Sequence, residues 1–301
     1  MNGVRNQSLM NRVQDHSLEY TFDTLLKTFN PNRKPIMKKA HFYKMMDILD
    51  TKLRKQGVDI KYPSYWYRYG AVTDFSYLDQ VLPKGFNGRY FDGEYILFPS
   101  SHRINYNVDP RRKVTIDSTI NFICEKYRYT SDYIKLLKKD SYQLNSPYSF
   151  NTTFQEYIDI VNEPNQATLF PKEEVLEILL DRLLEEFPED DFPELLDINL
   201  AWDDTTRLVL DYPDESKDHY LKILMNLFWS VYSKGIRSIY NRYFPADCVI
   251  HWQIEYEKSI PKVEKNIEKL RKEILLKQDR KFNTDEELVK KLLKAAYNLN
   301  V

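Results

Sequence analysis

The chain is short of the residues from which most chemical sites are built. It has seven glycines in 301 residues, and none stands in the spacing of a Walker-type loop or a dinucleotide fingerprint. Both patterns need glycine where backbone must pass close to phosphate. Their absence excludes the common nucleotide-driven activities, and no cofactor is expected. The two cysteines, Cys124 and Cys248, lie far apart and form no Cys-x-x-Cys pair, so neither a redox motif nor a zinc knuckle is present. They read as reduced, buried thiols. The five histidines contain no His-x-x-x-His spacing, and His251 beside Trp252 reads as a packed residue rather than a general base. No stretch approaches the roughly 18 apolar residues that cross a bilayer. Residues 1–30 hold no apolar run of signal-peptide type. The expectation is a cytoplasmic chain without a membrane segment.

Charge is abundant and unevenly placed. The net charge is −1, but the stretch from Pro171 to Asp218 holds 17 acidic and 4 basic residues. The remainder holds 40 basic and 28 acidic residues. A division of this size predicts either an internal electrostatic contact or two surfaces with different partners.

Apolar spacing predicts a mainly α protein. A loosely ordered segment over 1–30 carries one helix from Ser17 to Phe29. A small α+β domain follows over 31–163, and an all-helical domain with the acidic block over 164–301. In the α+β part, Phe42, Tyr43, Met46, Leu49 and Leu53 make a helical stripe that Gly57 ends. Gly85 to Phe98 is the best hairpin, with Asp92-Gly93 suited to a tight turn. This order is shared by winged helices and by other α+β domains. Further on, Arg207-Leu208-Val209-Leu210 fits strand or helix. His219 to Tyr243 reads as a long helix. Ile260, Val263, Ile267, Leu270 and Ile274 follow heptad-like spacing. Thr284 with Glu287 has capping-box spacing for a terminal helix to about Asn298.

The densest feature is Tyr65-Trp66-Tyr67-Arg68-Tyr69-Gly70, four aromatics in five positions closed by a glycine. A helix cannot bury such a run on one side. A strand would put Tyr65, Tyr67 and Tyr69 on one face and Trp66 and Arg68 on the other. Such a segment packs or binds on both sides, and a large aromatic cluster suits a protein interface.

Phe42-Tyr43-Lys44-Met45-Met46-Asp47-Ile48-Leu49, followed by Tyr65 to Val72, resembles the SocA-like (Panacea) antitoxin domain. That family pairs an early apolar helix with a tryptophan, a tyrosine-glycine step and then proline-valine. Trp66, Tyr69, Gly70 and Val72 fit, while Ala71 stands where the family has proline. The resemblance covers about residues 36–100. It implies a role in toxin neutralisation or phage defence through binding another protein, without catalysis. Tyr65, Trp66, Tyr67, Arg68, Tyr69 and Gly70 would then form the binding site for a toxin or defence effector.

Two other classes find some support. A winged-helix-like nucleic-acid binder would use the basic amino-terminal half, with Arg89, Arg111, Arg112 and Lys113 on phosphate. A metal-dependent nuclease would gather Asp204, Glu215 and Lys217 around a divalent cation. That arrangement requires Leu208 to Leu210 to be a strand leading into the Glu-x-Lys element, and Pro213 interrupts it.

Overall fold

The computed structural model describes residues 15–29, 38–68, 70–74, 91–92, 95–96, 105–128, 133–162, 171–211 and 216–298, with backbone alone for 91–92, 95–96, 280–290 and 292–298. The protein is mainly helical with a small three-stranded antiparallel sheet. Its chain divides into two compact units, each assembled from separate stretches of sequence.

The first unit comprises Met1–Tyr65, Tyr69–Asn145 and Asn241–Phe244. Its helices are α1 (Ser17–Phe29), α2 (Lys39–Lys55), α3 (Pro110–Arg128) and α4 (Tyr133–Asn145). Helix α1 packs on α3, and α2 packs on α3 and α4. Phe22, Leu25, Phe42, Met46, Leu49, Ile116, Ile120, Ile123 and Leu137 meet in one sealed core. The predicted stripe on α2 is therefore its inner side. Gly57, at φ 77, ends that helix. The Gly57 amide donates to the Arg54 carbonyl and the Val58 amide to the Leu53 carbonyl, both at 2.9 Å. These are the two bonds of a Schellman cap, whose left-handed position favours glycine.

Strand β1 (Ser64–Tyr67) lies between β2 (Gly70–Val72) and β5 (Asn241–Arg242). Ser64 pairs with Arg242 and Tyr65 with Asn241, antiparallel. The predicted hairpin forms from β3 (Phe91–Asp92) and β4 (Tyr95–Ile96), with Phe91 opposite Ile96 and Asp92 opposite Tyr95. Its connecting residues, including the glycine expected to make the turn, lie outside the described residues.

The second unit comprises Trp66–Arg68, Ser146–Tyr240 and Pro245–Val301. Its helices are α5 (Ser149–Asn162), α6 (Lys172–Glu185), α7 (Leu196–Leu210), α8 (Lys217–Ile239) and α9 (Ala246–Asn298). The core is a stack of rings. Phe154 lies parallel to Trp229 at 4.5 Å, and Trp202 stacks on Phe228 at 5.0 Å. Helix α8 packs against α5, α7 and α9.

One open alternative is settled here and two sequence expectations change. Arg207 to Leu210 is helical, because Trp202, Thr205, Thr206 and Val209 are buried at helical spacing. The strand that the nuclease arrangement requires is therefore absent at that position. Thr284 starts no helix, since α9 runs unbroken through it. Among the described residues the buried apolar set on that helix is Trp252, Tyr256, Val263, Ile267, Leu270 and Ile274. Finally, Cys124 is buried, as expected, but Cys248 is half-buried. Burial pushes the Cys124 thiol up to about 11, which keeps it protonated and inert.

Candidate functional site

The aromatic segment alternates as a strand should. Trp66 is 3% exposed, whereas Tyr65, Tyr67 and Arg68 are half-buried. The Trp66 ring meets Trp229 of α8 edge-on at 5.9 Å, and its amide donates to the Tyr240 carbonyl at 2.9 Å. Tyr65 meets Phe244 edge-on at 5.5 Å. The Arg237 guanidinium lies 5.2 Å from the Tyr67 ring centroid and 4.9 Å from that of Trp252, and it pairs with Glu255 at 2.5 Å. Gly70 turns the chain at φ 88, with the Lys44 Nζ and a Tyr142 ring carbon each 3.3 Å from where a Cβ would stand. Tyr69 lies outside the described residues. The structure thus assigns Trp66 to packing.

Arg68 faces a different setting. Its carbonyl accepts the Trp229 indole N–H at 3.1 Å, and its guanidinium donates to the Asn226 carbonyl at 3.4 Å. This holds Arg68 at the edge of a groove of about 570 Å³ formed with α8 and α9 of the same unit. On α8 the groove takes Lys222, Asn226, Ser230 and Lys234, one polar row at every fourth residue, which spans about 18 Å of helix. From α9 come Ser259, Lys262 and Asn266, while Ile223, Leu227 and Val263 supply the apolar surface. His219 stands at one end. Among the described residues no carboxylate lines the groove. Among the described residues, Lys222, Lys234 and Lys262 make no ion pair. A groove of this kind attracts negative charge, because among the described residues no lining carboxylate offsets Lys222, Lys234 and Lys262.

The other expected site residues are dispersed. Arg112 pairs with Asp15 at 2.7 Å, and the Lys113 ammonium covers the Tyr20 ring at 5.2 Å. Arg111 is exposed, and Arg89 lies outside the described residues. Of the nuclease residues, Asp204 lies 3.5 Å from Arg271 and Lys217 lies 3.2 Å from Glu173, while Glu215 lies outside the described residues. Among the described residues no group of three or more His, Cys, Asp or Glu side chains could hold a metal ion. No described helix is long and apolar enough to cross a membrane.

Sequence reasoning overlooked the groove, although the four-residue spacing from Lys222 to Lys234 was open to view. An amphipathic helix normally shows such a row to solvent, so only the placement of α9 distinguishes it. No family model, no curated protein and no solved structure matches the chain.

Proposed function

We propose that the protein is a non-catalytic binding component whose working surface is the groove along α8 and α9, and that it takes an acidic segment of another protein. The observation that carries this reading is the lining itself: Arg68, Lys222, Lys234, Lys262 and His219, without one carboxylate among the described residues. The aliphatic surface decides the class of partner. Ile223, Leu227 and Val263 suit the apolar side of a peptide segment, and the surrounding amides and hydroxyls suit its polar side. A nucleic-acid strand is held by rings on which its bases stack, and among the described residues the groove contains no ring other than His219. The likeness of residues 42–49 and 65–72 to SocA-like domains supports a toxin or defence effector as the partner, and that part of the proposal rests on the likeness.

The test is fluorescence anisotropy with a labelled amphipathic peptide of glutamate and leucine, and a lysine-leucine peptide of the same pattern as control. The acidic peptide is expected to bind, more weakly at high salt, and the basic one to stay free. Lys222→Glu with Lys234→Glu is expected to weaken binding by at least about tenfold. Equal binding of both peptides, or an unaltered double variant of native circular dichroism, would overturn the assignment.

A further inference from the structure

The first unit has a surface of different chemistry, on the outer side of α3. The inner stripe of that helix is Ile116, Ile120, Ile123 and Tyr127, all sealed in the core. Phe122 lies off this stripe and is 53% exposed. It lines a depression of about 400 Å³ with Lys52, Lys55, Gln56, Ser118 and Thr119. The Lys52 ammonium lies 4.7 Å from the Phe122 ring centroid, so cation and ring are presented together. Gln56 bridges the two helices, donating to the Thr119 hydroxyl at 3.1 Å.

Arg111 extends this surface. On an α-helix, residues 111, 118 and 122 fall within about 40° of one another, along about 16 Å of axis. Arg111 is exposed, and among the described residues neither it nor Lys52 nor Lys55 makes an ion pair. Its neighbours in the basic run differ: Arg112 is engaged by Asp15 and Lys113 by the Tyr20 ring. Of the three residues that the sequence groups together, Arg111 is the one on the helix face of Ser118 and Phe122.

We infer that this surface is a binding site for single-stranded nucleic acid, with a base on the Phe122 ring and the flanking phosphates at Lys52, Lys55 and Arg111. An exposed ring among uncompensated cations matches the two demands of such a ligand, stacking and phosphate neutralisation. A duplex hides the base faces that the ring would take, which selects the single strand. Among the described residues the depression lacks the aliphatic lining of the groove on α8 and α9, so an acidic peptide segment fits it less well. This site is separate from the proposed peptide groove and stands without it.

Anisotropy titration of the full chain with a labelled oligodeoxythymidine, and with an abasic strand of equal length, tests the assignment. Phe122→Ala is expected to weaken the thymidine strand about 5- to 100-fold and the abasic strand hardly at all. Phe122→Tyr is expected to restore binding. Replacing Lys52, Lys55 and Arg111 by alanine is expected to weaken both strands and to lower the salt slope by about 2. The Lys222→Glu, Lys234→Glu double variant is expected to bind the thymidine strand normally, which separates this site from the peptide groove. No binding of the strand, or binding indifferent to Phe122→Ala in a chain of native circular dichroism, would overturn the inference.

Discussion

Asp47 is a carboxylate inside the first unit, 4% exposed on a helix whose inner side is otherwise apolar except for Asp50 and Thr51. Burial pushes its pKa up to about 7, and the neighbouring Asp50 adds to the rise, while Lys44, Asn145 and Arg242 oppose it. Burial also lowers Lys44 to about 8, against the pull of Asp47. Asp50 is raised by burial too, held back by Arg54 at 2.8 Å and by Arg242. A carboxyl that ionises near 7 when folded and near 3.8 when unfolded binds more protons in the native state between those values. Stability contributed by its protonated form is complete below the lower value and is lost as pH rises through the upper one. Unfolding by urea at several pH values from about 4 to about 8 is therefore expected to show stability falling with pH. Asp47→Asn keeps an acceptor for the Asn145 amide and is expected to flatten the fall, leaving the smaller part due to Asp50. An unchanged slope would show that Asp47 ionises freely in the fold. The residue was visible in the sequence as an acid within an apolar stripe, but its burial was not, since a solvent-facing acid has the same spacing.

Gly235 shows what a helix gives up for close packing. It lies within α8, where glycine is about 1 kcal/mol worse than alanine. Yet an added Cβ would stand 2.8 Å from the Phe192 ring and 2.9 Å from the Tyr256 ring of α9. Tyr256 is not free to swing aside, because its hydroxyl donates to Glu194 at 2.6 Å. Overpacking therefore outweighs the gain in propensity, and Gly235→Ala is expected to destabilise by about 1–3 kcal/mol. A lowered urea midpoint at constant slope checks it; a raised midpoint would mean that the rings yield. At this scale the sequence was most legible where apolar spacing ran long, as on α2 and along Val263 to Ile274. It was ambiguous at Arg207 to Leu210, where three apolar residues in succession satisfy either period. It misled at Thr284, because a capping box marks a helix start only where the preceding turn is not helical. The aromatic segment was legible as a strand, with Trp66 buried and its neighbours half-buried. That its inward ring would be taken by Trp229, more than 150 positions later, has no local signature.

At the scale of the whole molecule, charge is arranged more locally than the linear division implied. All four basic residues of the acidic block pair with carboxylates close by. Lys172 meets Asp218 at 2.9 Å and Lys217 meets Glu173 at 3.2 Å, joining α6 to the start of α8. Arg207 bridges Asp181 and Asp203 at 2.7 and 2.8 Å, and Arg182 reaches Glu156 at 3.1 Å. The block's excess of acid is thus left over after its own cations are matched. Connectivity is likewise not linear, since the first unit recruits Asn241–Phe244 from beyond α8. Those four residues supply β5, the Arg242 guanidinium 3.8 Å from buried Asp50, and the Tyr243 hydroxyl, which donates to Asp59. Tyr243 holds φ 58, a left-handed value that a tyrosine keeps only where its surroundings fix it. Substituting this late stretch should therefore loosen the early unit. Arg242→Ala combined with Tyr243→Phe is expected to speed amide exchange about 5- to 30-fold in residues 39–67, the equivalent of about 1–2 kcal/mol. The ring core of α5, α7 and α8 is expected to keep its protection, because neither side chain belongs to that unit. Hydrogen-exchange mass spectrometry distinguishes the outcomes: faster exchange confined to α5–α8, or none in α2 and β1, would mean that the first unit does not depend on its distant strand.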